Sequence, residues 1–247
     1  IAWRHKGTQL IYNIFGIADS GTDTSGGPYH VVYIGTANIS PTGAELPTGE
    51  PIASLTVQTT NGASVQVASD VEVFDDIAVL AGGINFSGQS VSCENIQNEG
   101  TFVSGSGLLR VNGSVFNNGT FHAPITAGLF QLSGNFNNNV IFNQVGGTIE
   151  FTGSSHFYDN APDFRNIIVT GEFFAPPFFS VRGNFTNNGS FHTQNSSVNF
   201  SGTTITPQAI GGTALSTFHN VQISNVVAKP GVILQSDVQL TGVLSLE

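Results

Sequence analysis

The densest group of ionisable side chains is the acidic stretch SDVEVFDD at residues 69–76. Asp70 and Glu72 lie two residues apart, so on a β-strand they would face the same side. Facing carboxylates could act on a polysaccharide as acid and base, and grouped carboxylates could bind calcium. The dipeptide Ser-Asp returns before another alternating segment at 236–237, however, which indicates a structural residue repeated by register. We interpret these residues as structural and keep a calcium site and a catalytic pair as alternatives for Asp70, Glu72, Asp75 and Asp76.

The other side chains that could carry chemistry stand alone in the sequence. His122 and His192 each follow the last Phe of a repeated motif, 70 residues apart, which favours repeated positions over a pair of metal ligands. Cys93 is the only cysteine, so it is either a small buried residue or a link to another chain. The sequence has no nucleophile elbow, phosphate loop or paired-cysteine motif. We therefore predict no enzymatic activity and no cofactor, calcium aside.

Few residues of this chain are charged. Asp, Glu, Lys and Arg make up 9% of its 247 residues, against about 25% in an average globular protein. The net charge of −10 opposes binding to nucleic acids and to anionic membranes. No apolar run approaches the roughly 18 residues of a membrane-spanning helix. The sequence starts with Ile and contains no methionine. We expect an exported chain whose signal has been removed, located outside the cell or on its surface.

Repeated motifs indicate which elements would position these side chains. One nine-residue motif occurs as GNFTNNGSF (183–191), GSVFNNGTF (113–121), GNFNNNVIF (134–142) and, more loosely, ENIQNEGTF (94–102). A second motif places alternating apolar residues before a small residue and Gly, as in TIEFTG at 148–153. A third, FRNIIVT at 164–170, returns as FHNVQIS at 218–224. A period near 20 residues, built from short alternations, is the signature of a solenoid.

Each period would form one coil of three short strands, and each strand would pair with its equivalent about 4.8 Å away in the next coil. Equivalent residues then stack on one another. Phenylalanine rings would stack inside as a core ladder, at Phe102, Phe116, Phe121, Phe136, Phe142, Phe185 and Phe191. Asparagine amides would form hydrogen-bonded ladders at the corners, at Asn117, Asn118, Asn138, Asn187 and Asn188. The Gly after Asn-Asn would supply the positive φ of the turn.

The predicted fold is all-β, a parallel β-helix (β-solenoid) of coils about 20 residues long. A β-sandwich or jelly roll also has many short strands, but it gives no reason for a fixed offset. No window shows a sustained helical period. Residues 1–50 contain only one of the 20 phenylalanines and lie outside the repeat. We predict a non-repeat N-terminal β segment at 1–50, acting as a cap or subunit link, and a solenoid domain at 51–247.

The stretches TIEFTG, FRNIIVTG and FFSVRGNFTNNGSFHTQNSSVNFSG, followed by GVILQSDVQLTGVLSL, resemble a known repeat. It is found in large secreted and surface proteins of Bacteroidota-type bacteria. The similarity covers residues 51–247 and leaves residues 1–50 outside. It implies a right-handed β-helix, export and an adhesive or other surface role, and it carries no catalytic residues.

Low charge, ladder chemistry and the lack of a catalytic cluster favour a structural role. The predicted function is a subunit of a surface filament, fibre or adhesin stalk, polymerising head to tail. A module that binds glycans or a cell surface is the first alternative, and a polysaccharide-degrading enzyme is the second.

Open solenoid ends expose strand edges and apolar core, and such edges template association. The expected subunit contacts are Leu10, Ile11, Tyr12, Ile14, Phe15, Val243, Leu244 and Leu246. The N-terminal segment would add as a strand to a neighbouring chain, or it would fold back and cap its own solenoid. A third possibility is that the sequence is part of a longer repeat array.

Overall fold

The structure, a computed structural model, describes residues 2–5, 9–12, 28–43, 45–203, 206–226 and 230–247, the first two ranges by their backbone. All regular elements in these ranges are strands, as the alternating sequence predicts. They are β1 Ala2–His5, β2 Gln9–Tyr12, β3 His30–Gly35, β4 Ser54–Thr59, β5 Ser64–Gln66, β6 Val71–Glu72, β7 Asp76–Ala81, β8 Gly83–Asn85, β9 Val91–Cys93, β10 Asn95–Asn98, β11 Thr101–Val103, β12 Leu108–Val111, β13 Val115–Asn117, β14 Thr120–His122, β15 Leu129–Leu132, β16 Phe136–Asn138, β17 Ile141–Asn143, β18 Thr148–Phe151, β19 Ser154–Tyr158, β20 Asp163–Phe164, β21 Asn166–Val169, β22 Glu172–Phe174, β23 Phe178–Val181, β24 Phe185–Asn187, β25 Ser190–His192, β26 Ser197–Phe200, β27 Gln208–Gly211, β28 Ser216–Phe218, β29 Asn220–Ile223, β30 Val232–Leu234, β31 Val238–Leu240 and β32 Leu244–Leu246.

The strands form the predicted parallel β-solenoid, in which each coil places one strand on each of three faces. The first face is an 11-stranded sheet running from β1 through β3, β4 and every third strand to β25, with the pair β28–β31 at the corresponding place in the last coils. The second face holds two successive five-stranded sheets, from β5 to β17 and from β20 to β32. The third face is a nine-stranded sheet from β6 to β30.

Equivalent residues of neighbouring coils lie opposite one another. Ile77, Ile96 and Val115 are consecutive partners at a spacing of 19 residues. The spacing is 18 residues between Phe173 and Phe191 and rises to 25 between Phe185 and Ile210. Since the strands keep their register, the additional residues of the longer coil lie in its turns.

Phenylalanine rings stack from coil to coil inside the solenoid. The ring centroids of Phe102 and Phe121 are 4.8 Å apart, with an angle of 3° between the planes. Full burial of a phenylalanine side chain stabilises a fold by about 1.5–3 kcal/mol. Six of the seven predicted ladder positions face the core: Phe102, Phe121, Phe136 and Phe185 are fully buried, Phe191 is nearly so, and Phe142 is partly buried.

The seventh predicted core ring, Phe116, points outward, and that prediction was wrong. Its side chain is 51% exposed, whereas the neighbouring Val115 is fully buried. Val115 is the register partner of the buried Phe136. Successive side chains of a strand face opposite sides, so the inward place of Val115 forces Phe116 to the surface.

A buried ladder of amides runs along one corner of the coils, as predicted. The Nδ2 of Asn98 donates to the Oδ1 of Asn117, Asn117 donates in the same way to Asn138, and Asn138 donates to the Oδ2 of Asp159. Each of these bonds is 2.6 Å long. The ladder satisfies buried polar groups that would otherwise each cost about 1–3 kcal/mol.

The next residues form the exposed side of the same corner. Asn118 Nδ2 donates to Glu99 at 2.8 Å, and Asn139 donates to Asn118 at 2.7 Å. In the later coils Asn187 is buried and donates to the carbonyl of Leu215 at 2.9 Å. Asn188 is exposed, and its Oδ1 accepts the N–H of Thr213 at 3.0 Å. All five predicted corner asparagines thus lie at strand ends or directly after them.

The glycines of these corners do not have the predicted role of supplying a positive φ. Gly119 and Gly189, which follow Asn-Asn, do not adopt a positive φ. A Cβ at Gly119 would instead collide with the carbonyl oxygen of Gly100, and one at Gly189 with that of Gly171. Glycine is required because the backbones of successive coils approach each other too closely for a side chain.

The first complete coil starts before the predicted domain boundary at residue 51. Strand β3 pairs in parallel with β4, and parallel bridges join Ile39 to Val65 and Ile52 to Val73. Before this coil, β1 and β2 pair with each other in antiparallel fashion, and β2 also pairs with β3. Both edges of β2, which holds Leu10, Ile11 and Tyr12, are therefore occupied by strands of its own chain.

Candidate functional site

The four carboxylates of the acidic stretch are divided between two places in the coil. Asp70 and Glu72 line one shallow depression of about 210 Å³ together with Arg110. The Oδ1 of Asp70 accepts the N–H of Ser90 at 2.7 Å, a bond between coils. Among the residues that the structure describes, no group of three or more His, Cys, Asp or Glu could hold a metal ion.

The remaining two acidic candidates lie at the start of the next strand. Asp75 is exposed, and Asp76 accepts a hydrogen bond from Asn95 Nδ2 at 2.9 Å. This bond again connects successive coils, in line with the structural interpretation. The histidines of the repeated motif are not brought together, since His122 lies in β14 on the second face and His192 in β25 on the first.

The single cysteine and the ion pair between Arg182 and Asp163 also belong to the framework. Cys93 is buried, and burial raises the pKa of its thiol, so the reactive thiolate is disfavoured. Arg182 Nε donates to Asp163 Oδ1 at 2.9 Å, while another guanidinium nitrogen donates to the carbonyl of Gln144 at 2.6 Å. Partial burial raises the pKa of Asp163, and the charge and hydrogen bond of Arg182 counteract that rise.

A groove on the outside of the first face carries exposed aromatic side chains. Its volume is about 590 Å³, within the range of about 300–1,000 Å³ that is usual for ligand sites. The floor and walls are formed by Asn138, Asn139, Val140, His156, Phe157, Tyr158, Asp159, Asn160, Phe174, Ala175, Pro176, Pro177 and Gln194.

A stack of outward-facing rings forms one side of this groove. The ring centroids of His156 and Phe174 are 4.2 Å apart, with an angle of 3° between the ring planes. Those of Phe174 and His192 are 4.4 Å apart, with an angle of 12°. These residues are register partners in three successive coils. Tyr158 is 52% exposed, and its ring is parallel to that of His156 at 5.5 Å.

The sequence motifs did not point to the groove residues, although the sequence holds a signal for them. In SHFYDN the inward residue is Phe157, so alternation sends His156 and Tyr158 outward. The same rule sends Phe174 outward beside the buried Phe173. These outward residues differ from coil to coil, so a search for repeated positions passes over them.

The last coil exposes apolar side chains that point to the core side. We define the end coil as β30, β31 and β32, residues 232–246. Its leucines are exposed by 60% at Leu234, 38% at Leu240, 51% at Leu244 and 70% at Leu246. Their register partners one coil earlier are Ile210, Phe218, Val221 and Ile223, which are buried or packed against the core.

Comparison with known proteins gives no further assignment. No protein-family model matches the sequence, and no curated protein or solved structure is detectably similar to it. Within its described ranges, the chain contains no helix that is long and apolar enough to cross a membrane. Any function must therefore be argued from the solenoid itself.

Proposed function

We propose that this chain is an extracellular structural protein, a subunit of a surface filament, fibre or adhesin stalk whose solenoids stack end to end. The observation that carries the proposal is the exposed end coil. Leu234, Leu240, Leu244 and Leu246 occupy positions that a further coil covers everywhere else in the stack. Full burial of each leucine would contribute about 1.5–3 kcal/mol.

Strand edges support the same surface as a site of assembly. β32 is the last strand of the second face, and β31 is the last strand at the place of the first face. The outer edges of both strands lie at the end of the stack. No strand of the described chain pairs with these edges, and unpaired edges template association with another chain. At the opposite end of the stack, β1 is the outermost strand of the first face.

These two ends suggest a head-to-tail contact. Placing β31 of one copy beside β1 of the next would continue the first face from subunit to subunit. The sequence has two of its six positive charges, Arg4 and Lys6, at or next to β1, whereas Glu247 follows β32. A heterologous contact of this kind produces an open fibre unless its rotation closes a ring.

The predicted contact residues divide between the two ends. Val243 is 66% exposed beside Leu244 and Leu246 in the end coil. Leu10, Ile11 and Tyr12 lie in β2, between β1 and β3, so in this arrangement the strand that meets a neighbour is β1. Ile14 and Phe15 lie outside the described residues. The secreted location remains a proposal, which the low charge and the resemblance to surface repeat proteins support.

The proposal can be tested with charges placed on the end coil. We would compare the wild-type chain with the double variant Leu244→Glu/Leu246→Glu by sedimentation velocity and negative-stain electron microscopy over a range of concentrations. Both positions are more than half exposed, so we expect the variant to remain folded. Val145→Glu is the matched control, because Val145 is 58% exposed in a loop remote from β30–β32.

We expect fibres that lengthen with concentration for the wild type and the control, and monomers for the double variant. Wild-type protein that stays monomeric at high concentration would contradict the proposal. A dimer that does not grow would indicate tail-to-tail contact between two end coils and would contradict the fibre.

A further inference from the structure

We propose that the aromatic groove on the first face binds a neutral oligosaccharide in an extended conformation. The groove holds the rings of Tyr158, Phe174 and His156, together with the amides of Asn139, Asn160 and Gln194. This function is separate from assembly, because the groove lies on β16, β19, β22 and the adjoining turns and does not include the end coil.

The first argument is the shape and exposure of the rings. A pyranose ring has one face lined by C–H groups, which packs against a flat aromatic surface. Tyr158 is 52% exposed, and its parallel neighbour His156 is itself supported by Phe174 at 4.2 Å. The stack holds these rings in fixed orientations, so a ligand would not have to order them first.

The second argument is the set of polar groups that the protein leaves to a ligand. No hydrogen bond within the described chain engages the side chains of Tyr158, Asn160 or Gln194. Asn139 uses its Nδ2 to bind Asn118, which leaves its Oδ1 as an acceptor. A few convergent donors and acceptors beside apolar surface are typical of ligand sites. Amide and hydroxyl groups of both polarities suit sugar hydroxyls, which donate and accept.

The third argument is charge, which indicates a neutral ligand. The one carboxylate in the groove, Asp159, accepts bonds from Asn138 Nδ2 at 2.6 Å and from the N–H of Ala161 at 3.1 Å, so both of its oxygens serve the framework. No Lys or Arg lines the groove, and the chain carries a net charge of −10. An anionic polysaccharide would meet repulsion without a compensating cation.

The fourth argument concerns the length of the ligand. Phe116, Asn137 and Tyr158 are register partners on the outward side of three successive coils. The two exposed rings are therefore two coils apart, about 10 Å at the usual strand spacing, with an amide between them. A linear chain of sugars that follows the solenoid axis could contact Tyr158 in the groove and Phe116 beyond it.

The test measures binding of defined oligosaccharides by isothermal titration calorimetry. The probes are cellohexaose and chitohexaose, both extended and neutral, with helical maltohexaose for contrast. We expect at least one extended hexaose to bind with a Kd of about 1 mM or tighter, and maltohexaose to bind more weakly. Failure of both extended hexaoses to bind, or equal binding of maltohexaose, would overturn the proposal.

Variants then locate the site. Tyr158→Ala should weaken binding by about tenfold. Phe116→Ala should weaken binding of the hexaose and leave that of the corresponding triose unchanged. Phe74→Ala is the control, because Phe74 is 53% exposed but precedes β7, four strands away from β19 on the first face. Unchanged affinity in Tyr158→Ala would refute the assignment.

The end-coil variant Leu244→Glu/Leu246→Glu should bind sugar like the wild type, so a failure of assembly and a failure of binding can be told apart.

Discussion

The first and last coils of the solenoid expose their core sides to different degrees. In the first coil Val31, Tyr33 and Ile39 are at most 2% exposed. In the end coil the leucines that face the same way are 38–70% exposed. Both coils pair with their inner neighbours in parallel register, so pairing alone does not bury a coil. A coil is closed only when something lies on its outer side.

Dedicated segments cover the first coil. The backbone of β2 pairs with β3, and Leu46 in the following turn is only 2% exposed. The hydroxyl of Tyr33 donates to Glu45 Oε1 at 2.9 Å, and the hydroxyl of Tyr29 donates to the carbonyl of Glu45 at the same distance. The comparison shows that capping in this protein comes from specific turns and hairpins, and the described end coil has no counterpart of them.

The largest expected effect comes from truncating one inward-facing side chain in a closed coil and one in the end coil. Phe136→Ala, at a fully buried ring, should lower the free energy of unfolding by about 3–5 kcal/mol. Leu246→Ala, at a side chain that is 70% exposed, should change it by less than about 0.5 kcal/mol in dilute monomer. Urea denaturation followed by circular dichroism measures both. Similar losses in the two variants would mean that the end coil is already covered.

A smaller effect is expected at the amide ladder, which ties the closed coils together. Asn117→Ala removes a fully buried amide, so Asn98 Nδ2 loses its Asn117 acceptor and Asn138 Oδ1 loses its Asn117 donor. We expect a loss of about 1–3 kcal/mol. Asn118→Ala, the matched variant one residue later on the exposed side, should stay within about 0.5 kcal/mol. Equal destabilisation by the two substitutions would show that the buried ladder adds nothing beyond the exposed one.

The third prediction concerns the cap of the first coil at alkaline pH. Burial and the nearby Glu45 raise the pKa of Tyr29 to about 12 and raise that of Tyr33 further. The folded state therefore keeps both phenols neutral, and its stability should be complete below the ordinary tyrosine pKa of about 10. It should decline as the pH rises above that value toward the pKa of the folded state.

Thermal unfolding between pH 8 and pH 11 tests this expectation. Tyr33→Phe should lose a hydrogen bond, worth about 0.5–1.5 kcal/mol, and should show a shallower decline of Tm with pH than the wild type. Tyr158→Phe, at an exposed tyrosine, is the control and should follow the wild type. If Tyr33→Phe and the wild type decline equally, Tyr33 does not hold the cap.

The repeated motifs were sufficient to predict the solenoid and most of its core. Their fixed spacing determines the coil, and alternation determines which side of each strand is buried. The error at Phe116 arose because the prediction followed the phenylalanine itself and not its position in the nine-residue motif. Matching the copies on their first Gly places Val115 opposite Phe136, as the register does.

Other features depend on contacts that no single stretch of sequence contains. Gly119 is required by the backbone of the coil before it, so its local neighbours wrongly suggested a turn with positive φ. The first coil was missed because β3 pairs with β4 through plain apolar alternation without the motif. The sequence did not predict the groove, because its rings come from outward positions of different coils and periodicity predicts only residues that recur.

The central claim is that another copy covers the end coil, and amide hydrogen exchange tests it most directly. Exchange of the wild-type chain should be followed by mass spectrometry at low and at high protein concentration, with peptides covering residues 230–247 and residues 95–143. We predict that protection in β30–β32 increases with concentration, while the closed coils around β10–β17 are unchanged. Exchange in β30–β32 that does not depend on concentration, up to the highest concentration at which the protein stays soluble, would contradict this claim.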